Sequence, residues 1–213
     1  MAIKDLKLYS NMGPNPPKIL ILLQELGLPY ETITKGFGPQ PGGVKNPDFL
    51  AINPNGRVPA LIDPNCNDLI VWESGAILIY LAQKYDTEHK FYPASVEEQA
   101  IVNTWIMYQV SGQGPTQGQV VWFKNYDTPK GGNVGAIERY TAEIHRIYQV
   151  FDAQLEKEGG YTCLGKYTIA DIAWYTWIRV SEYASLDLSS YKNITKWKEM
   201  MDSRPAVIKT YSS

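Results

Sequence analysis

The chain is short of the residues that build cross-links and metal clusters. Its 213 residues include two cysteines, Cys66 and Cys163, and two histidines, His89 and His145. One disulfide at most can form, which excludes a disulfide scaffold. No C-x-x-C or H-x-x-x-H spacing occurs, so a Cys/His zinc cluster is excluded and no metal is expected. Charge of one sign is lacking as well. Twenty Lys and Arg against 22 Asp and Glu leave −2, without the basic excess of a nucleic-acid binder. The apolar run at residues 19–23 falls far below the roughly 20 residues that cross a membrane. Met1-Ala2-Ile3-Lys4-Asp5 brings an acid where a leader would carry its apolar stretch. The expectation is a cytoplasmic protein with free thiols that binds neither nucleic acid nor membrane. Phenylalanine is scarce too, 5 residues against 15 Tyr and 6 Trp. Tyr and Trp carry a polar handle on an apolar body and suit half-wet clefts and interfaces.

What is present reads as a globular chain, 44% hydrophobic and 20% charged. Residues 6–9 read as a strand. The turn Asn11-Met12-Gly13-Pro14-Asn15-Pro16-Pro17 follows, then a helical pattern over 18–26 with Asn15 as N-cap, Pro16 at its first turn and Gly27 as its stop. Residues 30–33 read as a second strand, so the chain opens as a parallel βαβ unit. Residues 35–47, with four glycines and three prolines, read as a surface loop, and 47–51 as one helical turn. Residues 57–62 and 69–72, joined by the turn Asp63-Pro64-Asn65, read as an antiparallel hairpin. Ser74 then opens a helix over 75–85. Beyond a linker at 87–92 the β signals vanish. Helical periods run over 95–122, 135–158, 169–183 and 194–203, and Thr168-Ile169-Ala170-Asp171 has the form of a capping box. The expected fold is an α+β first domain of β-α-β-β-β-α type at 1–86 and an all-α domain at 93–213.

Two segments make the pairing specific. Asn53-Pro54-Asn55-Gly56-Arg57-Val58-Pro59-Ala60-Leu61-Ile62, followed by Trp72-Glu73-Ser74-Gly75-Ala76-Ile77, resembles the glutathione-binding core of the soluble glutathione transferases. Leu8-Tyr9-Ser10, Pro14-Asn15 and Lys18-Ile19 resemble the first βα turn of that family, nearest the fungal and bacterial branch related to the yeast nitrogen-catabolite regulator. Pro16 stands where that branch usually has glycine. The resemblance covers essentially the whole chain. It implies a thioredoxin-like first domain, glutathione as co-substrate, a cytoplasmic homodimer and a small hydrophobic electrophile as second substrate.

Glutathione brings two carboxylates, one ammonium and a thiol. The resemblance implies a cis Val58-Pro59 bond that lets Val58 pair with the ligand as one extra strand rung. Ser74 as N-cap would hold the γ-glutamyl carboxylate at a helix N-terminus, with Glu73 facing the ammonium. Lys45 and Arg57 are candidates for the glycine carboxylate or for interface ion pairs. No cysteine lies near the first βα turn, which sets aside the cysteine-type classes and leaves Asn15, then Ser10, then Tyr9 as donors to the thiolate. An electrophile pocket between the halves would draw on Met12, Phe37, Trp105, Tyr108, Gln109, Gln113, Trp122 and Phe123. Trp105, Tyr108 and Gln109 share one helix face, which serves a pocket, the core or a dimer contact equally well. Residues 111–119, with Gly, Gln and Pro115, should bend or break the long helix. Three functions fit: conjugation of glutathione to aromatic or unsaturated electrophiles, glutathione-dependent reduction of disulfides or peroxides, and non-catalytic binding or regulation.

Overall fold

The computed structural model describes residues 3–130 and 132–212. Met1 and Ala2, which open the stretch read above as carrying no leader, lie outside the described residues. Contacts divide the chain into two units, one of residues up to 88 together with 209–212, the other of 89–208. The tail therefore falls with the first unit, whereas the composition placed it in the helical half.

The first unit holds β1 (Leu6–Ser10), α1 (Pro16–Glu25), β2 (Tyr30–Thr34), the short α2 (Pro47–Leu50), β3 (Ala60–Asp63), β4 (Leu69–Trp72) and α3 (Ser74–Tyr85). The sheet order is β2-β1-β3-β4. β1 runs parallel to β2, with Leu6 opposite Tyr30, and antiparallel to β3, with Tyr9 opposite Ala60. β4 returns antiparallel to β3, with Ala60 opposite Trp72. Period-2 alternation explains the centre of this sheet: Leu6 and Leu8 are buried while Lys7 is exposed. In α1, Pro16 and Pro17 occupy the first turn, where a missing N–H costs nothing because those donors have no helical partner. Ile19, Leu22 and Leu23 bury the inward stripe. Gly27 at φ +63° ends the helix, donating to Gln24 while Leu28 donates to Leu23, the paired bonds of a Schellman stop. In the loop before α2, Gly43 lies so close to the carbonyl of Gly38 that a Cβ would sit 2.3 Å from it.

The helical unit contains α4 (Val96–Tyr108), a wide π turn (Gln109–Gln113), α5 (Gly114–Asn125), α6 (Val134–Lys157), α7 (Ile169–Arg179), a 3-10 turn (Ser181–Ala184), α8 (Lys192–Asp202) and α9 (Pro205–Ser212), whose last residues count with the first unit. Its core centres on Trp174, stacked 4.1 Å from Phe151, with Trp197 edge-on to Phe151 at 5.2 Å. The capping box forms as expected. Thr168 accepts from Ala170 N–H, and Asp171 accepts from the Thr168 N–H at 2.9 Å. Asp171 also takes the N–H and hydroxyl of Thr162 and the indole N–H of Trp197, so one buried carboxylate ties the start of α7 to α8.

Three boundaries differ from the sequence pattern. The stretch read as one helix over 95–122 carries the π turn and runs on to Asn125. The helix read over 169–183 stops at Arg179 and tightens to a 3-10 turn, with Ser185 at φ +52°. α9, which the helical periods did not include, starts at Pro205, a residue suited to the first turn of a helix.

Candidate functional site

The register gathers the predicted glutathione segments. β1 ends at Ser10, the antiparallel β3 begins after Val58-Pro59, and β4 ends at Trp72, so all three chain ends lie at one end of the sheet. α1 follows β1 and α3 follows β4, so both helices start there. Each helix N-terminus presents unpaired N–H groups and a partial positive charge, which together favour an anion.

The Val58-Pro59 bond is cis, as the resemblance implied. Among the described residues none hydrogen-bonds the Val58 peptide, so an extended ligand finds both its N–H and C=O open. The approach to this bond is held from below by Asn53, 2% exposed, whose side chain donates to the Arg57 carbonyl at 2.6 Å and accepts from the Asn55 N–H at 3.0 Å. Asn53 belonged to the recognised motif without a role. Its buried amide is the brace of the turn. Lys45 is exposed and donates to the Asn55 carbonyl at 2.7 Å, which sets it over the same turn, and Arg57 is exposed.

At the end of β4, Glu73 adopts φ +74°, ψ +120°, a conformation that costs a non-glycine residue about 1–3 kcal/mol. α3 begins at Ser74, so Glu73 and not Ser74 occupies the N-cap position, and the Glu73 side chain does not cap. The Glu73 carboxylate stays exposed, while Ser74 is buried at the first helical position. Lys18 of α1 reaches this point. It is fully buried, and its ammonium donates to Ser74 Oγ at 3.2 Å. Burial pushes the Lys18 ammonium down to about 7, and the charge of Glu73 opposes that shift. Lys18 was quoted only as a marker of the first βα turn. Its signal was positional: Ile21 and Leu22, three and four residues on, place it on the buried face of α1.

The three thiolate donors are placed differently. Ser10 is 6% exposed at the end of β1, with only a long 3.5 Å hydroxyl contact to the Asn11 carbonyl. Tyr9, its neighbour in the strand, faces the other side of the sheet. Its ring packs 5.4 Å from Phe49, and burial followed by the Glu31 charge raises its hydroxyl pKa. Asn15 holds the N-cap position of α1 but has helical backbone angles, φ −83° and ψ −41°, and makes no side-chain cap bond. The capping expected of its side chain is therefore not made, because only an extended N-cap turns its side chain back toward the first N–H groups.

The electrophile candidates split between the units. Met12, 102% exposed, and Phe37, 72% exposed, project from loops of the first unit. Trp105 and Tyr108 join the aromatic core of the helical unit, 6.0 and 5.6 Å from Trp174. Gln109 and Gln113 are fully buried. Gln109 donates to Gln113 at 2.8 Å, Gln113 to Gln117 at 2.9 Å, and Gln117 to the Trp177 carbonyl at 2.9 Å, while Tyr148 donates to Gln117. The wall of an open pocket expected of these two glutamines is instead a buried ladder along the π turn. Trp122 is exposed beside Tyr126, and Phe123 stacks on Tyr140 at 5.9 Å. A cleft of about 390 Å3 in the helical unit, bounded in part by Leu155, Tyr161, Lys196 and Trp197, contains none of the candidate residues.

The remaining reactive side chains stand apart. Cys163 is buried and its thiol is pushed up to about 12, chiefly by burial, which leaves it inert; Cys66 is half-buried. His145 pairs with the Tyr191 hydroxyl at 2.7 Å, and His89 with the Tyr92 carbonyl at 3.3 Å. Among the described residues no group of three His, Cys, Asp or Glu is placed to hold a metal, and no helix is long and apolar enough to cross a membrane.

A four-stranded mixed sheet with a cis proline before β3 and a helix N-terminus after β4, continued by a chain of helices, defines a thioredoxin-like domain joined to an all-helical one. Residues 4–83 match the glutathione S-transferase N-terminal domain model and 135–205 the C-terminal domain model. The chain belongs to the glutathione S-transferase family. It is 38% identical to the glutathione S-transferase-like protein tpcF of Aspergillus fumigatus, over 97% of this chain and 95% of that one. The solved structure of Ure2p in complex with glutathione matches with a TM-score of 0.90 at 34% identity, covering 99% of both chains. The glutathione transferase URE2P6 of Phanerochaete chrysosporium, solved with oxidised glutathione, matches with a TM-score of 0.89 at 39% identity, covering 98% of this chain and 96% of that one.

Proposed function

We propose that this chain is a glutathione transferase that binds glutathione at the shared sheet end and activates its thiol toward small hydrophobic electrophiles. The observation that carries this reading is the open Val58 peptide at the same sheet end as Ser74 and the strained Glu73. Val58 pairs with the cysteinyl peptide, the α3 N-terminus and Ser74 take the γ-glutamyl carboxylate, and Glu73 meets its ammonium. Lys45 and Arg57 attract the glycine carboxylate from the surface. A free thiol titrates near 8.5, and each unit of lowering is about 1.36 kcal/mol. One charge-assisted hydrogen bond contributes about 1.5–3 kcal/mol, so a single donor from Asn15, or from Ser10, supplies one to two units. The thiolate then attacks the electrophile. With a chloronitrobenzene a carbon–sulfur bond forms and chloride leaves.

A second reading on the same site is reduction of disulfides by glutathione, favoured by the relative solved with oxidised glutathione. Turnover with chlorodinitrobenzene, hydroxyethyl disulfide and cumene hydroperoxide, each with glutathione, separates the two. Conjugation is expected, at a rate that Glu73→Ala lowers at least tenfold by weakening glutathione binding. Activity on the disulfide alone would replace transfer by reduction, and tight binding without turnover would leave a non-catalytic binder. The same family reading makes the chain a cytoplasmic homodimer. Partial exposure of Leu69, Ile70 and Trp72 on β4 supports the dimer, and a dimer mass by light scattering checks it.

A further inference from the structure

We infer that Lys18 is a positioning residue for the γ-glutamyl carboxylate: buried behind Ser74, it fixes the Ser74 hydroxyl so that its hydrogen is aimed at the ligand. The inference rests on the glutathione reading above and assigns to that site a residue outside the binding motif.

The geometry has three parts. Lys18 is 0% exposed in the first turn of α1, and its Nζ lies 3.2 Å from Ser74 Oγ. Ser74 is 5% exposed at the first position of α3, where the helix presents its unpaired N–H groups. Glu73, just before it, is turned to positive φ and stays at the surface. An ammonium has three donors and no acceptor. While Lys18 holds its proton, Ser74 Oγ facing it can only accept. The single hydroxyl hydrogen is then left for a different acceptor, and a carboxylate at the α3 N-terminus is the acceptor that the site attracts. The hydrogen bond from the ammonium also polarises the hydroxyl and makes it a stronger donor. A methionine would occupy a similar volume without the desolvation cost of a buried charge. The lysine instead brings positive charge to within one hydroxyl of the binding edge.

The test is a chemical double-mutant cycle on the full chain. Glutathione is compared with 4-aminobutanoyl-cysteinylglycine, which lacks only the γ-glutamyl carboxylate. The wild type is compared with Lys18→Met and with Lys18→Gln, which keeps a donor without the charge, and the fold is checked by circular dichroism. In Lys18→Met, KM for glutathione is expected to rise about tenfold with kcat changed less than twofold, while KM for the analogue stays within twofold. Lys18→Gln should show the smaller rise. A merely structural lysine would weaken both ligands equally, and that result, or an unchanged KM for glutathione, overturns the inference. The unmutated protein gives a second readout. With 13C-labelled lysine, the Lys18 resonance, set apart by titrating near pH 7, should move to higher pH on binding glutathione and not on binding the analogue. No such movement also overturns it. Failure of the wild type to bind glutathione would instead remove the functional reading itself. A wild type that prefers glutathione, with both ligands weakened alike in the variants, removes only the role of Lys18.

Discussion

Lys18 shows most clearly how one residue connects stability to the site. A lysine titrates near 10.5 in the unfolded chain and near 7 when folded, chiefly because burial disfavours its charge. Glu73 acts on it as a charged group that opposes the shift, and Ser74 on α3 is a hydroxyl neighbour. Between about pH 7 and 10.5 the unfolded chain therefore holds a proton that the folded chain has released. Stability gains from this group as pH rises through that window and is flat below it. Lys18→Met removes the slope. The urea unfolding free energy of the wild type relative to that variant is expected to grow by about 2 kcal/mol from pH 7 to pH 9; a parallel pair of curves would contradict the placement. At this scale the sequence was legible where chemistry is local. Thr168 and Asp171 form their capping box because both partners sit within one helical turn. Glu73's positive φ was not legible, since it is imposed by the junction of β4 with α3 and not by any preference of glutamate.

Among the elements, the path from α4 through the π turn to α5 repays the closest look. Its period marked Trp105, Tyr108 and Gln109 as one face, and spacing alone cannot tell a pocket wall from a core face. Tertiary packing decides: the two aromatics meet Trp174, and Gln109, Gln113 and Gln117 satisfy one another inside the helical unit. Gln113→Leu would remove the acceptor that Gln113 offers Gln109 and the donor it offers Gln117, while Gln117 keeps the Tyr148 hydroxyl. A loss of about 1–3 kcal/mol in urea unfolding is expected, with KM for chlorodinitrobenzene unchanged. A raised KM for that electrophile at full stability would return Gln113 to the electrophile pocket. Three strands were legible within a residue because alternation and turn residues agree, whereas β3, read from 57, begins only at Ala60, after the Val58-Pro59 step. α9 was not legible, because a proline marks both the end of one helix and the start of another.

At the scale of the whole molecule, the division into an α+β unit and a helical unit follows from the change of hydrophobic period near residue 88. The return of residues 209–212 to the first unit, where Thr210 accepts from Gln24, has no such signature, because it joins positions 186 residues apart. The site was half legible for the same reason. Val58, Pro59, Glu73 and Ser74 stand in two short motifs, whereas their meeting with Lys18 depends on the packing of α1 against α3. The scarcity of cysteine takes its meaning here too: with Cys163 buried, the reactive thiol of the proposed chemistry belongs to the ligand. That thiol gives the most direct measurement, an ultraviolet absorbance titration of glutathione thiolate bound to the full chain. The bound thiol is expected to ionise one to two units below its ordinary value of about 8.5, and Asn15→Ala to return it most of the way. A bound thiol that still titrates near 8.5 in the wild type would contradict activation at this site and leave a protein that holds glutathione without preparing it to react.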